Sequence, residues 1–181
     1  MTFSWTPHRF SGGALALDVA NSVVLRADPA RRIDRYADPA TMDAFAAAAS
    51  LHCTERDSAD PFAPVPPVRR DAFIGLREAI DGHFRAEASG RGSPVLLAQL
   101  LDAIAGTLRR SGREPGALDT ATAHSALRLA AHAEPDRLKI CPNCGWLFLD
   151  RSRNRSRAWC DMAVCGNRAK ASRHYRRRRE G

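Results

Sequence analysis

Four cysteines around residue 150 have the spacing of a metal-binding site. Two residues separate Cys141 from Cys144, fifteen residues follow, and four residues separate Cys160 from Cys165. Two close thiol pairs with about fifteen to twenty residues between them are typical of zinc sites. Zn²⁺ binds four ligands at the corners of a tetrahedron and prefers soft, charged thiolates. We therefore predict a closed structural zinc site with these cysteines as its ligands.

Two disulfides or free thiols are the alternative interpretation of the same cysteines. Residues 1–13 contain no basic region followed by an apolar run, which is the pattern of a secretory signal. The sequence also lacks a run of about eighteen apolar residues, the length that a membrane-spanning helix needs. We therefore expect a cytoplasmic protein with no membrane partner, in which the cysteines stay reduced.

The residues around the two cysteine pairs indicate how the chain turns there. The sequence CPNCG combines a proline with a preset φ and two residues that tolerate left-handed conformations, which suits a tight turn between the thiols. Residues 147–149 are apolar and suit a β-strand, so we predict a short hairpin around the first pair. Trp159 and Met162 flank Cys160, and we expect them to cover the metal.

The positive charge of the chain is concentrated in the cysteine-rich segment. From Cys141 onward there are 11 basic and 3 acidic side chains, whereas the first 140 residues carry 17 of each. A zinc ion with four thiolates contributes a net charge of about −2, which leaves the segment strongly basic. This asymmetry indicates two parts with different roles, of which the second binds a polyanion. A merely solubilising basic tail is the alternative.

Arginine alternates with small polar residues in the loop 150–157, and a basic helix is predicted to follow Cys165. The planar guanidinium group can donate two parallel hydrogen bonds to a phosphate, so the loop suits phosphate contacts. The helix is the candidate for reading base edges. The predicted nucleic-acid-binding residues are Arg151, Arg153, Asn154, Arg155, Arg157, Asn167, Arg168, Lys170, Arg173, Arg176 and Arg177.

The first 136 residues read as an α-helical domain. Apolar stripes with helical spacing predict helices over 68–88, from Pro94 onward and over about 121–133, and Asp38-Pro39 predicts the start of another. These helices cannot bury their stripes alone, so they should form one orthogonal bundle. We predict a mainly α protein with a helical domain over 1–136 and a zinc module over 137–181, built from a hairpin knuckle and a helix.

Two features of the helical part leave alternatives open. Asp18 and Asn21 are polar side chains inside the apolar run 14–24, which suits a short helix better than a strand. They form either a buried hydrogen-bonded pair that fixes a loop or the lining of an effector pocket. The proline-rich segment 52–67 is read as an extended connector, with Cys53 as a small semi-buried side chain.

The cysteine-rich segment resembles the CGNR zinc-finger family. The matching segments are 146–154, 159–162 and 165–170, with a basic helix after them. The N-terminal part resembles the stress-induced transcription regulator domain that usually precedes this finger, on the basis of Leu17, Asp18 and Asn21. The resemblance implies a DNA-binding transcription regulator with an upstream sensor or dimerisation domain.

We therefore expect a zinc-dependent DNA-binding protein whose N-terminal domain senses an effector or forms a homodimer. An RNA- or ribosome-associated protein is the alternative, since the arginine-rich loop suits either nucleic acid. The remaining hypothesis is an enzyme or small-molecule-binding protein with a pocket at Asp18 and Asn21. No combination of nucleophile and base in the sequence supports catalysis, so we expect no enzymatic activity.

Overall fold

The computed structural model describes residues 3–55, 61–111, 114, 116–132 and 135–180. Within these ranges there are six α-helices and two small antiparallel sheets, which confirms the prediction of a mainly α protein with a small zinc module. The helices are α1 (Leu15–Ala20), α2 (Pro39–His52), α3 (Arg70–Ala88), α4 (Pro94–Ser111), α5 (Leu118–His132) and α6 (Asn167–Glu180). The strands are β1 (Val23–Val24), β2 (Ile33–Asp34), β3 (Leu138–Ile140) and β4 (Leu147–Leu149).

Helix α1 lies at the centre of the molecule. All of its residues are buried, and it packs against α3, α5 and β4. The prediction of one helix over 14–24 is therefore correct only for its first half. After Asn21 the chain turns into β1, where Val23 pairs with Asp34 of β2. A short helix that is apolar on nearly every side is typical of a fully buried position, and its length is limited by this turn.

The sequence signals at the start of α2 are confirmed. Asp38 accepts hydrogen bonds from the backbone N–H groups of Ala40 and Thr41, and Pro39 occupies the first helical position. The side chain therefore satisfies N–H groups that have no partner inside the helix. The buried face of α2 contributes Phe45 to an aromatic cluster in which Trp5, Phe10 and Tyr36 also take part.

The apolar stripes predicted for α3 and α4 form most of the remaining core. Phe73, Leu76, Ile80 and Phe84 of α3 are all almost completely buried. In α4 only part of the stripe faces inward, because Leu97 and Leu101 remain 36% and 42% exposed. The next helix starts earlier than predicted: α5 begins at Leu118 rather than at about residue 121, and Asp119 lies inside it and accepts a hydrogen bond from Ser111.

The description of 52–67 as an unpacked connector was also wrong for its described residues. Val65 is 3% exposed, and Cys53 is buried as predicted. The backbone N–H of Phe62 donates to Ser50 Oγ, and Ala63 forms a parallel bridge with Ala117. Prolines exclude a helix in this segment but not contact with the core, so proline content alone could not show the packing.

A buried arginine joins the first sheet to α3. The side chain of Arg77 is 2% exposed and binds both carboxylate oxygens of Asp34 at 2.7 Å. Its Nη1 also donates to Ser22 Oγ, and the guanidinium lies 5.4 Å from the centre of the Tyr36 ring. Although partial burial opposes the effect, the hydrogen bonds and charge of Arg77 lower the pKa of Asp34.

We predict that Arg77→Met destabilises the protein by about 3 kcal/mol, because it leaves the partly buried Asp34 carboxylate without its partner. Urea unfolding followed by circular dichroism measures the effect. Arg31→Met is the matched control: within the described residues this exposed arginine pairs with Asp28, whose side chain is 41% exposed, so its change should stay within about 0.5 kcal/mol. Equal effects of the two substitutions would contradict the structural role of Arg77.

Candidate metal centre and nucleic-acid surface

The four predicted zinc ligands converge on one point. The sulfur atoms of Cys141, Cys144, Cys160 and Cys165 all lie within 4.8 Å of one another. Cys160 Sγ is 3.6 Å from both Cys144 Sγ and Cys165 Sγ, and none of the cysteines forms a disulfide. Tetrahedral zinc with Zn–S bonds of about 2.3 Å requires sulfur atoms about 3.8 Å apart, so the cluster has the size of a closed tetrathiolate site. The chain therefore binds structural zinc through these residues.

The first ligand pair lies in the predicted hairpin. Strands β3 and β4 pair with Leu138 opposite Leu149 and Ile140 opposite Leu147. The Cys141 N–H donates to the carbonyl of Trp146 at 2.8 Å, and the Gly145 N–H donates to the carbonyl of Cys141. Gly145 has a φ of +74°, a left-handed conformation that side chains rarely adopt. The turn therefore depends on glycine directly after Cys144.

The second ligand pair encloses a π-helical turn, Met162–Gly166, which continues directly into α6. Asp161 begins this turn: its side chain accepts from the Val164 N–H, and its carbonyl accepts from the Cys165 N–H at 2.9 Å. As a result, the last zinc ligand also determines where α6 starts. A single π turn of this kind was not predictable from the residue pattern.

Apolar side chains surround the metal centre. Trp146 and Phe148 are buried together with the cysteines, and Trp159 packs against them at the margin. The expectation that Trp159 and Met162 cover the metal is therefore met only by Trp159, since Met162 is 59% exposed. The aromatic rings shield the thiolates, and the four thiolates would occupy all coordination positions of a tetrahedral zinc ion.

The loop 150–157 is folded around a buried carboxylate. Asp150 is completely buried and accepts hydrogen bonds from Lys139 Nζ, from the backbone N–H and hydroxyl of Ser152, and from the Arg157 N–H. Arg137 Nη1 donates to the carbonyls of Asp150 and Ser152 at 3.1 Å. Although desolvation opposes the effect, these donors lower the pKa of Asp150. The loop therefore has a defined fold of its own, because nearby residues satisfy much of its backbone.

The arginines of this loop differ in their availability. Arg151 donates to the carbonyl of Gly13, Arg155 pairs with Asp136, and Arg157 donates to the carbonyl of Trp159 while lying over Phe148. Arg153 and Asn154 are exposed. Of the predicted phosphate-binding arginines, Arg153 therefore extends into solvent, whereas Arg157 has a structural role as well.

The basic helix begins beside the zinc site. Asn167 Nδ2 donates to the carbonyl of Ala163, so this predicted base-reading residue also closes the turn before α6. Arg168 and Lys170 are exposed on the first turns of the helix. The backbone of α6 continues to Glu180, but the side chains of Arg173, Arg176 and Arg177 lie outside the described part of the structure.

Asn21 binds the hairpin rather than a cavity. Its Nδ2 donates to the carbonyl of Leu147 at 2.8 Å, and its Oδ1 accepts from the Leu147 N–H at 2.9 Å. Next along β4, the Leu149 N–H donates to the carbonyl of Gly12. The edge of β4 that faces away from β3 is thus paired with the segment around α1. Asn21 is hydrogen-bonded, but to the hairpin and not in a pair with Asp18.

Asp18 is the other residue proposed for an effector pocket. It is completely buried, and its Oδ1 accepts from the Gly12 N–H at 2.8 Å. A Cβ atom at Gly12 would lie 2.7 Å from this oxygen, so only glycine fits there. A cavity of about 180 Å³ beside α1 is lined by Leu15, but by neither Asp18 nor Asn21. Burial raises the pKa of Asp18 to about 7, although the hydrogen bond from Gly12 opposes the shift.

We predict that Asp18 makes the protein less stable as the pH rises. An unfolded aspartate ionises near its ordinary pKa of about 3.9, whereas the folded one stays protonated up to about pH 7, so ionisation between these values favours unfolding. Asp18→Asn keeps the acceptor for Gly12 and removes the charge. The free energy of unfolding of the variant relative to the natural protein should increase by up to about 1.4 kcal/mol per pH unit in this window. A pH-independent difference in urea unfolding would contradict this.

We predict that Cys160→Ser, or a strong chelator, unfolds the zinc module, because metal binding supplies the folding free energy of such sites. The hairpin also contributes Leu138 and Leu147 to the helical core, so the melting temperature of the helical domain should fall while its helices remain. Tryptophan fluorescence and circular dichroism measure the two effects. Cys53→Ser is the control, because this buried thiol lies outside the metal cluster. The Cys53→Ser protein should therefore retain its zinc.

Two family models match the chain, and they overlap over β3. The model described as CGNR zinc finger matches residues 137–178, which include all four zinc ligands. The other model, ABATE, matches residues 13–140, more than two thirds of the chain. No curated protein matches the chain. The chain therefore belongs to the ABATE family, described as Putative stress-induced transcription regulator, and carries a CGNR zinc finger.

Proposed function

We propose that the protein is a zinc-dependent DNA-binding transcription regulator that acts in the cytoplasm in response to stress. The observation that carries this proposal is the position of α6, which starts two residues after the zinc ligand Cys165 and exposes Arg168 and Lys170 on its first turns. A rigid metal site that orients a basic helix is suited to placing that helix in a DNA groove. The family description supports regulation of transcription.

The exposed cations define the proposed contact surface. Arg153, Arg168 and Lys170 are the best candidates for phosphate contacts, since they are exposed and the structure shows no carboxylate paired with any of them in its described part. Asn154 lies next to Arg153 in the same exposed loop. Arg173, Arg176 and Arg177 extend the proposed surface along α6 by their sequence positions. Phosphate contacts supply most of the affinity in such surfaces and make it strongly salt-dependent.

DNA is favoured over RNA by the burial of the aromatic side chains. Recognition of single-stranded RNA commonly uses exposed aromatic rings on which bases stack. Trp146 and Phe148 are 2% and 0% exposed in the zinc module, and Trp159 is half-buried. Tyr175 on α6 is 68% exposed, but one ring does not form a stacking platform. RNA binding therefore remains the second candidate.

We assign the helical domain a sensing role without catalysis. The cavity of about 180 Å³ has apolar walls from Leu15, Phe62 and Ala121, with Glu55 and Arg128 among its polar lining. This size suits a small effector, since a cavity of about 150 Å³ can hold benzene. Leu15 begins α1, and Asn21 at the other end holds the hairpin, so an effector in this cavity would act on the zinc module through α1.

The described helices include none that is long and apolar enough to cross a membrane.

A homodimer is consistent with the proposal, because two copies would bind two DNA half-sites. Sedimentation of the zinc-loaded protein with and without duplex DNA measures the oligomeric state directly.

We predict that duplex DNA binding weakens steeply as the salt concentration rises. Arg153→Gln with Lys170→Gln should reduce the magnitude of the slope of log K against log[salt] by about 1.8, because two phosphate contacts are lost. Fluorescence anisotropy with the full-length, zinc-loaded protein measures the slope. Arg109→Gln with Arg110→Gln removes the same charge from exposed positions of α4 and should leave the slope unchanged.

Selection of genomic DNA fragments by the same protein at physiological salt tests sequence specificity. A recurrent motif that is lost in Arg168→Ala would support a specific regulator. Affinity that does not change with salt would contradict the proposed phosphate contacts, and preference for structured RNA in direct competition would favour the second candidate.

A further inference from the structure

Two arginines of the helical domain are held on one aromatic ring at its boundary with the zinc finger. The guanidinium carbon of Arg35 lies 4.1 Å from the centre of the Phe3 ring, and that of Arg9 lies 5.4 Å from it. Arg9 is also 5.5 Å from the ring of Trp146, which is buried with the zinc ligands. These ring contacts restrict both side chains to the boundary between the two parts.

Neither arginine has an acidic partner among the described residues. Elsewhere in the helical domain, buried or half-buried arginines do: Arg70 pairs with Asp43, and Arg77 pairs with Asp34. The Nε of Arg35 is buried and lacks a hydrogen-bond acceptor. A buried donor of a charged group without a partner costs free energy, so an anion bound there would stabilise this arrangement.

The first turn of α6 belongs to the same positive region. Burial lowers the pKa of Arg9, and repulsion from Arg35 and Arg168 lowers it further, while the Cys144 and Cys165 thiolates oppose the shift. A zinc site with four thiolates carries a net charge of about −2, and this charge attracts the Arg9 guanidinium. They do not account for Arg35, whose described contact is the ring of Phe3.

We propose that Arg9 and Arg35 bind a backbone phosphate of the same nucleic acid that contacts α6, so that the helical domain forms part of the binding surface. A phosphate diester carries one negative charge and acceptor oxygens that match two guanidinium groups. The inference rests on the proposed function, because it takes the nucleic acid to lie along Arg168. It differs from that proposal in assigning a phosphate contact to residues outside the zinc finger.

The test uses the full-length, zinc-loaded protein and a duplex DNA of about 30 base pairs in fluorescence anisotropy over a range of salt concentrations. We expect Arg9→Gln with Arg35→Gln to reduce the magnitude of the salt slope by about 0.9, because one phosphate contact is lost. Arg31→Gln with Arg32→Gln is the matched control, since it removes two exposed charges of the same domain and should leave the slope unchanged. Zinc content and melting temperature are measured for each variant.

Two further variants separate phosphate binding from folding. Arg9→Lys with Arg35→Lys keeps the charge and should retain most of the slope. Arg35→Gln alone leaves the contact between Arg9 and Trp146 intact and should still lower the slope by about 1. If the natural protein binds DNA and Arg35→Gln behaves like the control, this inference is overturned and the proposed function stands. Absence of DNA binding by the natural protein would overturn the proposed function itself.

Discussion

The pairing of β4 with the segment around α1 is the constraint on which the arrangement of the whole molecule depends. Strand β4 has two edges: β3 occupies one, and Asn21 and Gly12 satisfy the other. Because Leu147 is completely buried, an unpaired amide or carbonyl there would cost about 1–3 kcal/mol. The hairpin therefore has one position relative to α1, and the zinc ligands that follow from it are positioned by the helical domain.

This constraint changes how the two parts should be understood. The family models divide the chain near residue 140, and the charge distribution divides it at the same place. The hydrophobic core does not, because Leu138 and Leu147 belong to the cluster that the helical domain forms. Several helical-domain arginines pair with nearby carboxylates, as Arg77 does with Asp34. The boundary arginines Arg9 and Arg35 have no such partner among the described residues, and the proposed surface uses them.

The sequence was most informative where one residue type determines the local chemistry. Cysteine spacing predicted the metal site, Asp38-Pro39 predicted the start of α2, and the apolar stripe predicted α3. It was least informative where the partner is distant in sequence. Asn21 and Leu147 are 126 residues apart, so nothing near Asn21 distinguishes a hairpin contact from a ligand pocket. The fold of the arginine-rich loop was not predicted either, since it depends on donors from Lys139 and Arg137 that the loop's own sequence does not indicate.

The separation between Asn21 and Leu147 also has a consequence during synthesis of the chain. At about 5–20 residues per second, a ribosome needs roughly 6–25 s to add the residues between them. During that interval α1 has been synthesised, but β4, whose Leu147 is the hydrogen-bond partner of Asn21, has not. The helical core therefore lacks the side chains that β4 contributes. The nascent domain therefore exposes apolar surface until β4 arrives. Cys160 and Cys165 are added still later, so zinc can be held by all four ligands only after the helical core has gained β4.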